Sequence, residues 1–147
     1  MDRLRNLRAR LLSQAAIHSD RLVNEALATA DARKWHYAVL ATLAEQGPGS
    51  QAQLSARTGI YRSDIVAVVN ELTARGQVER APNPDDRRQN VITLTEAGRR
   101  QLGRLDRILA GVEDDLLAPL TGPERAELTR LLTTLVDHHK GWTPGVS

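Results

Sequence analysis

Two adjacent arginines, Arg87 and Arg88, follow Asp85 and Asp86 at the end of the turn-rich stretch Pro82-Asn83-Pro84, and no apolar neighbour demands them there. Guanidinium groups on an exposed tip suit a polyanion. An arginine so placed can enter a narrow DNA minor groove, where negative potential concentrates. Asp86 stands two residues before Arg88 and can hold that guanidinium in one geometry, which lowers the ordering cost of binding. The alternative is a solvent-exposed turn with a surface ion pair.

A second set lies upstream. Ser50 and Gln51 open one short helical pattern, and Arg62, Ser63, Val66, Ala67 and Asn70 share the outer sector of the next. Their donors suit phosphate oxygens, an asparagine amide matches an adenine edge, and a valine can touch a thymine methyl. Small and polar residues also make an ordinary exposed helix face, so this set is ambiguous alone. Asp64 in the first turn of the same helix supplies favourable charge at its N-terminus but would repel phosphate, and Glu71 is also acidic.

Other chemistry is poorly supported. No Gly-rich phosphate loop, nucleophile with a base, or spaced carboxylate pair is present, so no enzyme is expected. His18 and His36 are scattered, and His138-His139 is a poor chelate because adjacent helical residues face different ways. No metal or cofactor is expected. Trp35, His36 and Tyr37, with His18, are candidates to line a pocket for an aromatic or phenolic compound, although aromatics on a helix more often pack in a core.

The elements that would position these residues follow from apolar spacing. Leu4 to Leu27 reads as one helix, with a kink or a polar step at His18-Ser19-Asp20. A second runs from about Ala32 to Gln46, with Trp35, Val39, Leu40 and Leu43 on one face, and Gly47-Pro48-Gly49 stops it. Ser50 with Gln53 reads as a capping box, and Gly59 supplies the tight turn before the helix from Arg62 to Arg75. Two short β-like runs, Gln77 to Ala81 and Asn90 to Leu94, flank the arginine tip. A long helix from Glu96 to about Leu117 carries a narrow stripe suited to pairing with another helix. Thr121 and Glu124 form a second capping box before the last helix.

These elements predict a mainly α fold with a small β-ribbon wing: a winged helix-turn-helix flanked by N- and C-terminal dimerisation helices. The expected divisions are an N-terminal helix over 1–31 and a winged unit over 32–98, with its helix-turn-helix at about 50–75 and wing at about 77–94. C-terminal helices over 99–140 and a frayed tail over 141–147 follow.

Composition is compatible but not decisive. Apolar residues make up 41% of 147, aromatics 3% with no Phe, so the core must be aliphatic and suits helix on helix. Net charge is +2, and residues 51–100 hold eight arginines against six acids, so the placement of the arginines must carry any nucleic-acid reading. No cysteine is present, which excludes disulfides. No apolar run reaches the roughly eighteen residues of a membrane span, and the Arg-rich start lacks the apolar run of a signal peptide, so a cytoplasmic protein without membrane contact is expected.

The run from Gly76 to Gly98, centred on Asp85-Asp86-Arg87-Arg88, resembles the wing signature of the multiple antibiotic resistance regulator (MarR) family, and Gln53 to Ile60 with Arg62-Ser63 resembles its helix-turn-helix. The resemblance covers nearly the whole chain. It implies a homodimer with interlocked terminal helices that binds a palindromic operator on double-stranded DNA. It places the helix from Arg62 in the major groove and Arg88 in the minor groove, and in many members it implies a small-molecule pocket near the dimer helices. A ligand-responsive repressor is the expectation; a winged helix that binds protein rather than DNA is the alternative. Tyr61 stands where the family often has an Asp or Ser cap, and Ala67 where it often has a basic or polar residue.

Overall fold

The computed structural model describes residues 2–141. Their elements run α1 (Arg8–Ala28), α2 (Lys34–Gln46), α3 (Gln51–Thr58), α4 (Arg62–Ala74), β1 (Val78–Pro82), β2 (Asn90–Leu94), α5 (Glu96–Leu116) and α6 (Gly122–His138). The fold is mainly α with one two-stranded antiparallel ribbon. Of the tail expected over 141–147, all but Gly141 lies outside the described residues.

One aliphatic core joins most elements: Leu27 of α1, Val39, Leu40 and Leu43 of α2, Leu54 of α3, Ile65, Val68, Val69 and Leu72 of α4, Val78, Ile92 and Leu105. The α4 residues are the inner sector that helical spacing predicts. On α2 the outcome differs from expectation. Trp35 stays 37% exposed, while His36, one residue on, is buried. The helix start also differs. Asp2 Oδ1 accepts the Arg5 amide at 3.0 Å, and this competing local bond closes a turn before α1 begins at Arg8. The polar step at His18 to Asp20 does not interrupt α1.

The Ser50 box forms as its spacing requires. Ser50 Oγ accepts the Gln53 amide at 3.1 Å, and Gln53 Oε1 accepts the Ser50 amide at 2.9 Å. Such a cap contributes about 1 kcal/mol. Gly59, at φ 75°, takes the left-handed conformation that turns α3 toward α4.

In the ribbon Val78 pairs with Leu94 and Pro82 with Asn90. The other edge of β2 is covered by Gly49, which exchanges two backbone bonds with Ile92, at 3.2 and 2.8 Å. At the ribbon's base Thr95 caps α5, accepting the Gly98 amide at 3.0 Å and donating to Gly76 O at 2.7 Å. The α5 helix then packs along α1 and α2 of its own chain, burying Leu105 and Val112.

Two helices remain under-packed. In this single chain α6 buries no residue and α1 only Leu27. Leu7, Leu11, Leu12, Ile17, Leu131, Leu132, Leu135 and Val136 are exposed. Among the described residues no helix is long and apolar enough to cross a membrane.

Candidate nucleic-acid interface

The wing tip is built by two aspartate-type turns that leave the arginines outside. Asn83 Oδ1 accepts the Asp85 amide at 2.9 Å, and Asp86 Oδ1 accepts the Arg88 amide at 3.1 Å. Short polar side chains that bond two residues ahead replace a longer backbone ladder at such a bend. The backbone closes beneath them, with Asn83 N–H donating to Gln89 O at 2.9 Å. Asp86 Oδ1 also lies 3.6 Å from Arg88 Nε. Its main hold is therefore on the Arg88 backbone, and the guanidinium is not gripped as a fork. The Arg88 side chain is 95% exposed.

The base of this tip meets α3 and α4. Ser50, Gln51, Arg62 and Arg88 line one recess of about 170 Å³, together with Ala52, Gln89 and Asn90. Four residues singled out in the sequence thus share one concavity, with the N-terminus of α3 opening into it. Unpaired amides and the helix dipole favour negative charge there, and two guanidinium groups add to that field. Gln89 and Asn90 escaped the sequence reading; their place beside the arginine pair was the available signal.

The outer face of α4 carries Arg62, Ser63, Val66, Ala67 and Asn70, all exposed. Asn70 is already engaged, because its Oδ1 accepts from the Arg80 guanidinium of β1. That contact ties the helix to the wing. Tyr61 provides no side-chain cap for α4, and Asp64 lies in its first turn.

Glu71, the other acid of α4, turns inward toward α2. Arg33 Nη2 donates to both its oxygens, at 2.8 and 2.7 Å, and His36 Nε2 lies 2.6 Å from Oε2. Hydrogen bonds from Arg33 first, then from His36, hold the Glu71 carboxyl below its ordinary range. Its negative charge is therefore matched on the side away from the outer face.

The four residues considered for an aromatic pocket do not converge. His18 is exposed on α1 and Trp35 is exposed on α2. His36 is committed to Arg33 and Glu71, and Tyr37 Oη donates to Asp106 of α5 at 2.7 Å. That bond, with burial and the Asp106 charge behind it, pushes the Tyr37 phenol up to about 12.

A larger cleft, about 1070 Å³, separates the α3–α4 turn from α6. Ile60, Tyr61 and Arg62 line one side; Leu132, Leu135 and Val136, with Leu12 of α1, line the other.

Comparison with known proteins agrees with this architecture. The profile of the MarR family matches residues 32–89. The HTH-type transcriptional repressor NicR of Pseudomonas putida is 31% identical over 101 residues, which span 69% of this chain and 64% of NicR. The match thus covers somewhat less than two thirds of that relative. A probable transcriptional regulator from Pseudomonas aeruginosa superposes with a TM-score of 0.80 at 31% identity, over 90% of this chain and 99% of that one. The transcriptional repressor CouR bound to a 23-mer DNA duplex superposes with a TM-score of 0.84 at 28% identity, over 92% and 96%. CouR from Rhodococcus jostii RHA1 bound to p-coumaroyl-CoA gives 0.77 at 29% identity, over 92% and 95%. With the winged helix-turn-helix, the arginine-tipped ribbon and these likenesses in agreement, the chain belongs to the MarR family.

Proposed function

We propose that this chain is a homodimeric, sequence-specific transcriptional regulator, a repressor that binds a palindromic DNA operator and is released by a small aromatic or phenolic ligand. The observation that carries the DNA reading is the shared recess of Ser50, Gln51, Arg62 and Arg88. In it a helix N-terminus and two arginines meet, a combination suited to a phosphate. On that reading α4 would enter the major groove and Arg88 the minor groove. The DNA-bound CouR structure supports the DNA-binding reading, and its ligand-bound structure supports a small-molecule response.

The dimer reading rests on α1 and α6. A helix gains most of its stability from packing its apolar face, and α6 buries none of its residues fully within one chain. A second copy laid against Leu11, Leu12, Leu132 and Leu135 would supply it and fill the cleft beside α6.

Arg88→Ala tests the site. Nearly all of the Arg88 side chain is exposed, so its loss should leave the melting temperature and dimer intact. Operator affinity should fall by roughly 1–3 kcal/mol, about fivefold to 150-fold in Kd. Gel shifts against salt complete the test, because counterion release makes affinity fall steeply with log salt. Unchanged affinity would remove Arg88 from the interface, and binding insensitive to salt would favour a protein-binding winged helix.

A further inference from the structure

We propose that Glu71, clamped by Arg33 and His36, is a positioning residue that sets the pose of α4 against DNA; this rests on the DNA-binding reading above. The core residues of α4 fix which face is inward, but apolar contacts are non-directional and tolerate small tilts. Directional ties are needed to fix the rest.

Two such ties hold the C-terminal half of α4 to the corner between α1 and α2. Arg33 is the N-cap of α2, and its guanidinium binds both oxygens of Glu71. A turn further along, Arg75 Nη1 donates to Asp31 O at 2.6 Å. Asp31 sits at φ 54°, in the left-handed region that aspartate enters more readily than most residues, and so turns the chain between α1 and α2. His36 links the two sides. Its Nδ1 accepts the Arg33 amide at 2.9 Å, so the neutral ring carries its proton on Nε2 and donates it to Glu71. The ring is almost wholly buried, which keeps this bond out of competition with water.

The geometry makes the clamp a lever. Arg62, at the opposite end of α4, lies about 13 Å from Glu71 along the helix axis at 1.5 Å per residue. A tilt of about 10° at the clamp would move Arg62 by about 2 Å, enough to break a hydrogen bond. The Glu71 carboxylate bonds to Arg33 and His36 and to none of the groove-facing side chains, so it acts through the orientation of α4.

Charge alone predicts the opposite result, and this makes the test decisive. Removing an acid from a DNA-facing helix should strengthen binding to every DNA. A positioning role requires that Glu71→Gln weaken binding to the preferred sequence while leaving binding to random sequence unchanged. The probes are a duplex selected from a random pool by the unaltered protein and a scrambled duplex of equal length. Glu71→Gln and the more exposed Arg33→Gln are each expected to weaken the selected duplex by about tenfold. The double variant should be little worse than either, because the two residues act through one contact. Circular dichroism melts accompany each titration, and binding is measured where every variant is folded.

Selected-site affinity unchanged or raised in both single variants would overturn the proposal. So would equal losses on selected and scrambled DNA, or additive losses in the double variant. Failure of the unaltered protein to bind any duplex would overturn the DNA-binding reading itself, and this proposal with it.

Discussion

Replacing Gly98 with alanine would put a methyl carbon 2.1 Å from the carbonyl oxygen of Gln77 and 2.6 Å from Leu94 Cδ1. The leucine tip can rotate aside, but the carbonyl belongs to the backbone between α4 and β1. Relief requires α5 to withdraw by about 1.4 Å, since uncrowded heavy-atom contacts lie near 3.5 Å. Withdrawal strains the bonds that seat α5, from Thr95 N to Gln77 O at 3.1 Å and from Thr95 Oγ1 to Gly76 O at 2.7 Å. Overpacking of this kind costs about 1–3 kcal/mol, and a lost hydrogen bond adds about 1. The expected destabilisation is therefore about 2–4 kcal/mol, or roughly 5–15 °C in melting temperature for a chain of this size. Gly111, in the same helix, is exposed, and a Cβ there would meet nothing within 4 Å. Gly111→Ala should stabilise by about 0.5–1 kcal/mol through helix propensity. Thermal melts at one fixed protein concentration compare the two. A Gly98→Ala melting temperature within about 2 °C of the parent, or equal shifts for both variants, would refute the close-approach argument.

Stability should fall on acidification in two stages. Burial holds His36 below its ordinary 6.5, with the Arg75 and Arg33 charges in the same direction and Glu71 opposing. The unfolded chain therefore binds that proton first, and stability declines as pH falls below about 6.5. Glu71, depressed in the fold by Arg33 and then His36, contributes stability above its ordinary 4.5 that is lost as pH falls further. Melts from about pH 7.5 to 4 should show both stages in the parent and lose the upper one in His36→Gln; a flat parent profile down to pH 5 would contradict this. In α6, Leu135→Asp puts a carboxylate into the surface proposed to pair between copies. Two symmetric copies of the lesion should weaken association by at least about 2 kcal/mol, and sedimentation at micromolar concentration should report monomer or loss of solubility, whereas an unchanged dimer would place the interface elsewhere.

Short-range rules made much of this fold legible. The Ser50 box, the Gly59 turn and the inner sector of α4 each depend on residues at most a few turns apart, and each formed as its spacing demands. The ribbon was legible because its strands are separated by a dense cluster of turn formers. What escaped notice is what joins distant segments. Glu71 reads as a liability on a helix expected to face DNA until Arg33 and His36, more than thirty positions earlier, are brought beside it. The α5 stripe announces a helical partner without saying which, and α1 and α2 of the same chain take that place. Trp35 yields its expected inward place to His36, because one residue of rotation on a helix is 100° and a ring with two partners is satisfied inside.

The pair of backbone bonds between Gly49 and Ile92 has a consequence for how such a molecule would read a duplex. It splices the residue before Ser50 to the middle of β2, so the α3 N-terminus and the ribbon cannot open or close independently. On the DNA-binding reading, the span between a phosphate held at Ser50 and a groove entered by Arg88 is then a set dimension, like the gap of a fixed caliper. Sequences would be sorted by how cheaply their backbone meets that gauge, and rigid tracts of the wrong width would be rejected at base pairs that no side chain touches.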